Sequence, residues 1–122
     1  MSTAPHLALG RAAEAAAARH LERLGYRLIT ANFRARRGEL DLVAQEGDVL
    51  AIVEVRYRAS DRYGGAAASI THAKRTRIIR AARVLLARNP PLAKLPARFD
   101  VIEVSGPIDK LHCELIRAAF SL

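Results

Sequence analysis

Hydrophobic positions recur with a helical period near the N-terminus, switch to strand-like runs, return to a helical period, and close in strand-like runs again. Leu7 to Leu24 is Ala-rich, lacks internal proline and is followed by Gly25, which predicts a first helix. Its apolar stripe is Ala17, Ala18, Leu21 and Leu24, with Arg11, Arg19, Glu22 and Arg23 on the wet side. Glu14 falls on the stripe. A carboxylate aimed toward a core needs a partner, so Glu14 sits at the stripe's edge, pairs with an arginine, or lies close to the carboxylates of the hairpin that follows.

Tyr26 to Phe33 is predicted as a strand, and Arg34-Ala35-Arg36-Arg37-Gly38 as a basic turn. Two runs follow, Glu39 to Gln45 and Val49 to Arg58, rich in Val, Leu and Ile and separated by Glu46-Gly47-Asp48, the signature of a hairpin. With Gly47 and Asp48 central, Asp41 lies opposite Glu54 and Glu39 opposite Arg56. Alternation puts Glu39, Asp41, Val43, Ile52, Glu54 and Arg56 on one face, and Leu40, Leu42, Ala51, Val53 and Val55 on an apolar one. Like charges directly opposed are destabilising, so a cation is expected between Asp41 and Glu54. Arg56 is one candidate and a divalent metal the other, since Mg²⁺ is held by one or two carboxylates with phosphate oxygens and water. The alternative is a surface hairpin with solvated charges.

Ala59 to Ala68 is predicted as a loop, in which Tyr63 could stack on a base or pack locally. Ser69 or Thr71 caps a second helix that runs to Asn89, where Pro90-Pro91 stops it. Ile78, Ile79, Ala82, Leu85 and Leu86 form its buried stripe. Arg98 to Val104 is a further strand, Gly106-Pro107 a turn, and Lys110 to Arg117 a last, shorter strand. The four histidines show no spacing that suggests a catalytic pair or a metal site.

Length and composition narrow the picture. The 122 residues suffice for one domain, 1–122, with a single core. The formal net charge of +8 favours a polyanionic partner, nucleic acid before an anionic membrane surface. The charge is concentrated: no acidic residue occurs between Arg62 and Phe99, while Lys74, Arg75, Arg77, Arg80, Arg83 and Arg88 line the second helix. Arg34, Arg36, Arg37, Arg58, Lys74, Arg75, Arg77 and Arg80 are the candidate phosphate contacts, a type of contact that gives affinity and salt dependence without sequence information. A single cysteine, no stretch long enough to span a bilayer and no signal-peptide pattern lead to the expectation of a cytoplasmic protein without a membrane partner.

The element order, helix, three strands, helix, strand and an extra C-terminal strand, resembles the restriction-endonuclease-like PD-(D/E)xK superfamily. The match is closer to the YraN-like family of predicted bacterial endonucleases, distantly related to archaeal Holliday junction resolvases. Glu14, Gly38-Glu39-Leu40-Asp41-Leu42, Val53-Glu54-Val55-Arg56-Tyr57-Arg58, Lys74 and Arg98-Phe99-Asp100-Val101 carry it. The resemblance implies an α/β fold with a mixed central sheet flanked by helices. It also implies Asp41 and Glu54 as ligands of Mg²⁺ or Mn²⁺, Glu14 as a residue that positions water or metal, and hydrolysis of phosphodiester bonds in structured DNA. Junction resolvases cut two strands as dimers, so the resemblance extends to a homodimer, although no stretch marks a dimer surface. Arg56 departs from the pattern, because the superfamily motif has lysine there. Arginine stays protonated and cannot act as a base, but it can hold the scissile phosphate through two hydrogen bonds.

Three functions therefore compete: a metal-dependent nuclease, a nucleic-acid-binding module in which Arg56 neutralises an inactive site, and a basic domain that docks an acidic protein.

Overall fold

The computed structural model describes residues 5–58 and 70–120, with side chains from Ala8 onward. The loop expected at Ala59 to Ala68, Tyr63 within it, and the alternative helix cap Ser69 lie outside these residues. The alanine run folds as α1 (Pro5–Arg23). Gly25 terminates it with φ +93°, a conformation that costs glycine little. The Tyr26 N–H donates to Leu21 O and the Gly25 N–H to Glu22 O, each at 3.0 Å, which satisfies the last helical carbonyls. The buried stripe is Ala13, Ala16, Ala17 and Leu21, whereas Leu24, expected on it, is 45% exposed because it lies in the turn beyond the last helical residue.

Five strands follow in one sheet of order β1-β2-β3-β4-β5: β1 (Arg27–Ala35), β2 (Gly38–Glu46), β3 (Val49–Tyr57), β4 (Ala97–Ser105) and β5 (His112–Phe120). Only β3 and β4 are parallel, joined by α2 (His72–Arg88) and the short α3 (Pro90–Ala93). This is the mixed sheet flanked by helices that the element order led one to expect, with the extra C-terminal strand present. Arg34 and Ala35 belong to β1, paired with Glu39 and Gly38, so the basic turn shrinks to Arg36-Arg37. Thr71 caps α2, its Oγ1 accepting from the Lys74 N–H at 3.1 Å. Pro90 and Pro91 stop α2 and also open α3, since proline's fixed φ suits a first helical turn.

Both faces of the sheet are buried. On one, Val43, Ile52, Phe99 and Val101 pack under Ile78, Ala81, Ala82 and Leu85 of α2. On the other, Leu42, Ala44, Ala51, Val53, Ile102 and Val104 pack against Ala13, Ala17 and Leu21 of α1. The near-continuous apolar run of β3 is the composition of a strand covered on both sides, so neither hairpin face is solvated as a surface hairpin would have it. Leu40 corrects the expected alternation: it packs in the α2 cluster, while Leu42 packs in the α1 cluster. Strict alternation would put both on one face, so β2 changes phase at Asp41.

Candidate functional site

The phase change coincides with a fork in the sheet. The β2–β3 ladder runs from Glu46↔Val49 to Leu42↔Val53, the register expected from the turn, and goes no further. Beyond it β2 continues beside β1 as far as Gly38, and β3 continues beside β4 as far as Tyr57. At the fork the Val55 N–H donates to Asp41 Oδ2 at 2.9 Å, so a side chain takes the place of the missing strand partner. The expected register of Glu39 opposite Arg56 lies past the end of the β2–β3 ladder, and Glu39 pairs with Arg34 at 3.5 Å across the exposed edge.

Asp41 and Glu54 thus face the same opening. Glu54 is 2% exposed and Asp41 half-buried. Burial pushes the Glu54 carboxyl up to about 7, with the neighbouring Asp41 charge adding to it and Lys74 opposing. Burial also raises Asp41, against the pull of the Val55 N–H and Lys74. Lys74 Nζ stands 3.3 Å from Glu54 Oε2, yet that buried oxygen has no hydrogen-bond donor among the described residues. Lys74 therefore brings a cation to the two carboxylates from α2, where the sequence offered Arg56 or a divalent metal. The Thr71 cap fixes the turn that delivers Lys74, a contact across twenty positions that strand pattern alone does not reveal.

Glu14 approaches from the other face. Burial raises its proton affinity first and the Asp41 charge second, while a hydrogen bond from Asn32 lowers it. Asn32 is a residue that sequence reasoning missed. Its φ of +53° lies in the left-handed region that asparagine tolerates better than most residues. Among the described residues no group of three or more His, Cys, Asp or Glu side chains gathers closely enough to hold a metal ion. Asp41 and Glu54 form a pair, which suits a hard cation that takes its other oxygens from water and phosphate. Glu54 Oε2, buried and without an aligned hydrogen bond although Lys74 stands 3.3 Å away, is the feature that fits such an ion.

Beside the fork lies a cavity of about 550 Å³ lined by Arg34, Arg37, Glu39, Lys74, Arg77 and Arg80. Gly38 builds it: a Cβ there would collide with the Arg77 carbonyl oxygen, so only glycine lets the β1–β2 turn rest on α2. Arg36 lines a smaller adjoining cavity with Arg37, Arg80 and Arg83. Two candidate phosphate contacts fall elsewhere. Arg58 pairs with the buried Glu103 at 3.0 Å, and Arg75 lies over the Phe120 ring at 5.2 Å. Parity along β3 and α2 does not show this, because both contacts are to β4 and β5.

A family model for the uncharacterised protein family UPF0102 matches residues 13–104. The chain is 51% identical to a UPF0102 protein of Xanthomonas campestris pv. campestris over 93% of its own length and 91% of that protein's. It is 50% identical to one from Xanthomonas euvesicatoria pv. vesicatoria, covering 91% and 89%. A UPF0102 protein of Symbiobacterium thermophilum is 48% identical, covering 92% and 95%. The chain belongs to the UPF0102 family.

Proposed function

We propose that this UPF0102 protein is a metal-dependent endonuclease acting on structured DNA, as the YraN-like and PD-(D/E)xK resemblance implies. One observation carries the reading: Asp41 and Glu54 are held together in a buried fork where Lys74 is the one cation that approaches them among the ion pairs of the described residues, and Lys74 also lines the neighbouring arginine-lined cavity. Such a pair costs stability unless a cation completes it.

Asp41 and Glu54 would hold Mg²⁺ or Mn²⁺, which when bound lowers the pKa of water and offsets charge on the phosphate. Arg34, Arg37, Arg77 and Arg80 would fix the flanking phosphates through charge-assisted hydrogen bonds. Glu14, whose proton affinity is raised, is suited to take the proton of the attacking water. Lys74 is the amine within reach of Glu54, so it can hold a proton at Nζ close to the reacting phosphate, a task that the permanently charged Arg56 cannot reverse. Arg56 contributes fixed positive charge on the same strand.

The Lys74 to Glu54 contact favours one competitor, a nucleic-acid-binding module whose carboxylates are neutralised from within. The two readings separate in an assay of labelled four-way junction, linear duplex and single-stranded DNA with Mg²⁺, Mn²⁺ or chelator. The nuclease reading expects metal-dependent cleavage that Glu54→Ala abolishes. Salt-sensitive binding with no cleavage under any metal would overturn it in favour of the binding module. A stable complex with an acidic protein and no affinity for nucleic acid would favour the basic docking domain.

A further inference from the structure

On the face of the sheet away from α2, and at its opposite edge, a second cavity of about 410 Å³ opens between the last turns of α1 and the β4–β5 connection. Arg19, His20 and Arg23 line it from α1, and Asp109, Lys110 and His112 from the connection and β5. Cations in the last turn of a helix are favoured by the helix dipole, which accounts for His20 and Arg23. It does not account for Lys110 and His112, which a separate element brings to the same space. Five basic groups meet one carboxylate, and among the described residues none of Arg19, Arg23 and Lys110 enters an ion pair. His20 loses proton affinity to burial first, then to the charges of Arg23 and His112. With Asp109 in the cavity and Glu22 beside Arg19 and Arg23 in an adjoining one, positive charge here still exceeds negative charge.

We propose that this cavity is a binding site for a phosphate group, separate from the carboxylate fork. Guanidinium groups from successive turns of α1 offer planar donor pairs that match phosphate oxygens, with Lys110 and the two imidazoles closing the other side. The volume admits a phosphate with the sugar or nucleoside attached to it, and it is open to solvent on the α1 side through the exposed Arg19 and Arg23. The site is independent of the hydrolytic reading of the fork.

Cys113, the single cysteine, lines the cavity and is a built-in reporter. The full-length protein is titrated with inorganic phosphate against chloride of matched ionic strength, following the His20 and His112 imidazole resonances and the rate of Cys113 alkylation. Bound phosphate favours the protonated imidazole, so the His20 titration midpoint should rise by about half a pH unit or more, the His112 resonances should move on phosphate addition at fixed pH, and alkylation should slow about twofold or more. Arg23→Ala, a change at an exposed position, should weaken the effect about tenfold through loss of one charge-assisted contact. Two further arms, a dinucleotide with a 5′-phosphate and the same dinucleotide with only its internal diester, distinguish a phosphomonoester ligand from a nucleic-acid backbone. A His20 midpoint, His112 resonances and alkylation rates that are identical in phosphate and chloride would overturn the proposal.

Discussion

At the hairpin-turn end of the sheet, Glu46 and Asp100 lie among Arg98, Arg117 and Tyr26; at the forked end, Asp41 and Glu54 share the approach of Lys74, and Glu14 adjoins Asp41. The first cluster is closed. Arg98 Nε and Nη2 reach the two Asp100 oxygens at 2.8 and 2.9 Å, Arg98 Nη2 also reaches Glu46 Oε1 at 2.9 Å, and Arg117 Nη2 reaches Glu46 Oε2 at 2.8 Å. Hydrogen bonds from Arg117 and Arg98 hold the Glu46 carboxyl down at about 2. The second cluster is open, and its carboxyls move the other way. Five residues along β2 separate Asp41 from Glu46, roughly 16 Å of strand. One strand therefore carries, at its two ends, a carboxylate that stabilises the fold and one that strains it. Matched guanidinium partners make the difference, and their absence marks the end at which a ligand has something to supply.

The largest effect is expected where pairing is complete. Arg98→Met leaves Asp100, 0% exposed, without its main partner and should cost about 3–5 kcal/mol in chemical denaturation. A cost below about 1 kcal/mol would erase the distinction between the two ends. At the fork the sign reverses. The folded state holds a proton on Glu54 up to about pH 7, whereas the unfolded chain releases it near 4.5. The contribution is therefore complete below pH 4.5 and is lost as pH rises through 7. Glu54→Gln should be more stable than the parent at about pH 8 by roughly 3 kcal/mol in the absence of metal, and no more stable at about pH 4. Glu46 has the opposite profile, with stability present above pH 4.5 and lost as pH falls toward 2. Both variants should match the parent at low pH and diverge from it as pH rises, Glu46→Gln toward lower stability and Glu54→Gln toward higher.

Smaller effects test the parts that shape the fork. Gly38→Ala must push the basic turn off the Arg77 carbonyl and should cost about 1–3 kcal/mol while weakening nucleic-acid binding. Thr71→Ala removes the cap that fixes Lys74, costs about 1 kcal/mol, and should lower cleavage more than binding.

Local chemistry made much of the fold legible from sequence. The Glu46-Gly47-Asp48 turn set the hairpin register, Gly25 ended α1, and Thr71 and Pro90 bounded α2. Helix and strand composition then determined the order of elements. Long-range and irregular features were not legible. The phase change at Asp41 leaves no mark on the periodicity of β2, so Leu40 was assigned to the wrong face. The Arg98 network joins residues as far apart as Tyr26 and Arg117, and each of these charges looks like an ordinary surface group when its partners are unknown. Acidic and basic candidates could be picked out by residue type, but which arginines face the cavity and which are consumed by Glu103 or Phe120 depends on tertiary packing.

The most direct test of the contrast is thermal unfolding at about pH 8 with Mn²⁺ or chelator, for the parent and Glu54→Gln. A ligand bound only by the folded state stabilises by about 2.7 kcal/mol at a hundredfold excess over Kd, roughly 10 °C for a domain of this size. The predicted result is a rise of that order in the parent and none in the variant. A parent whose Tm is the same in Mn²⁺ and chelator, or a variant that gains as much as the parent, would contradict the claim that the fork takes a metal ion beside Lys74.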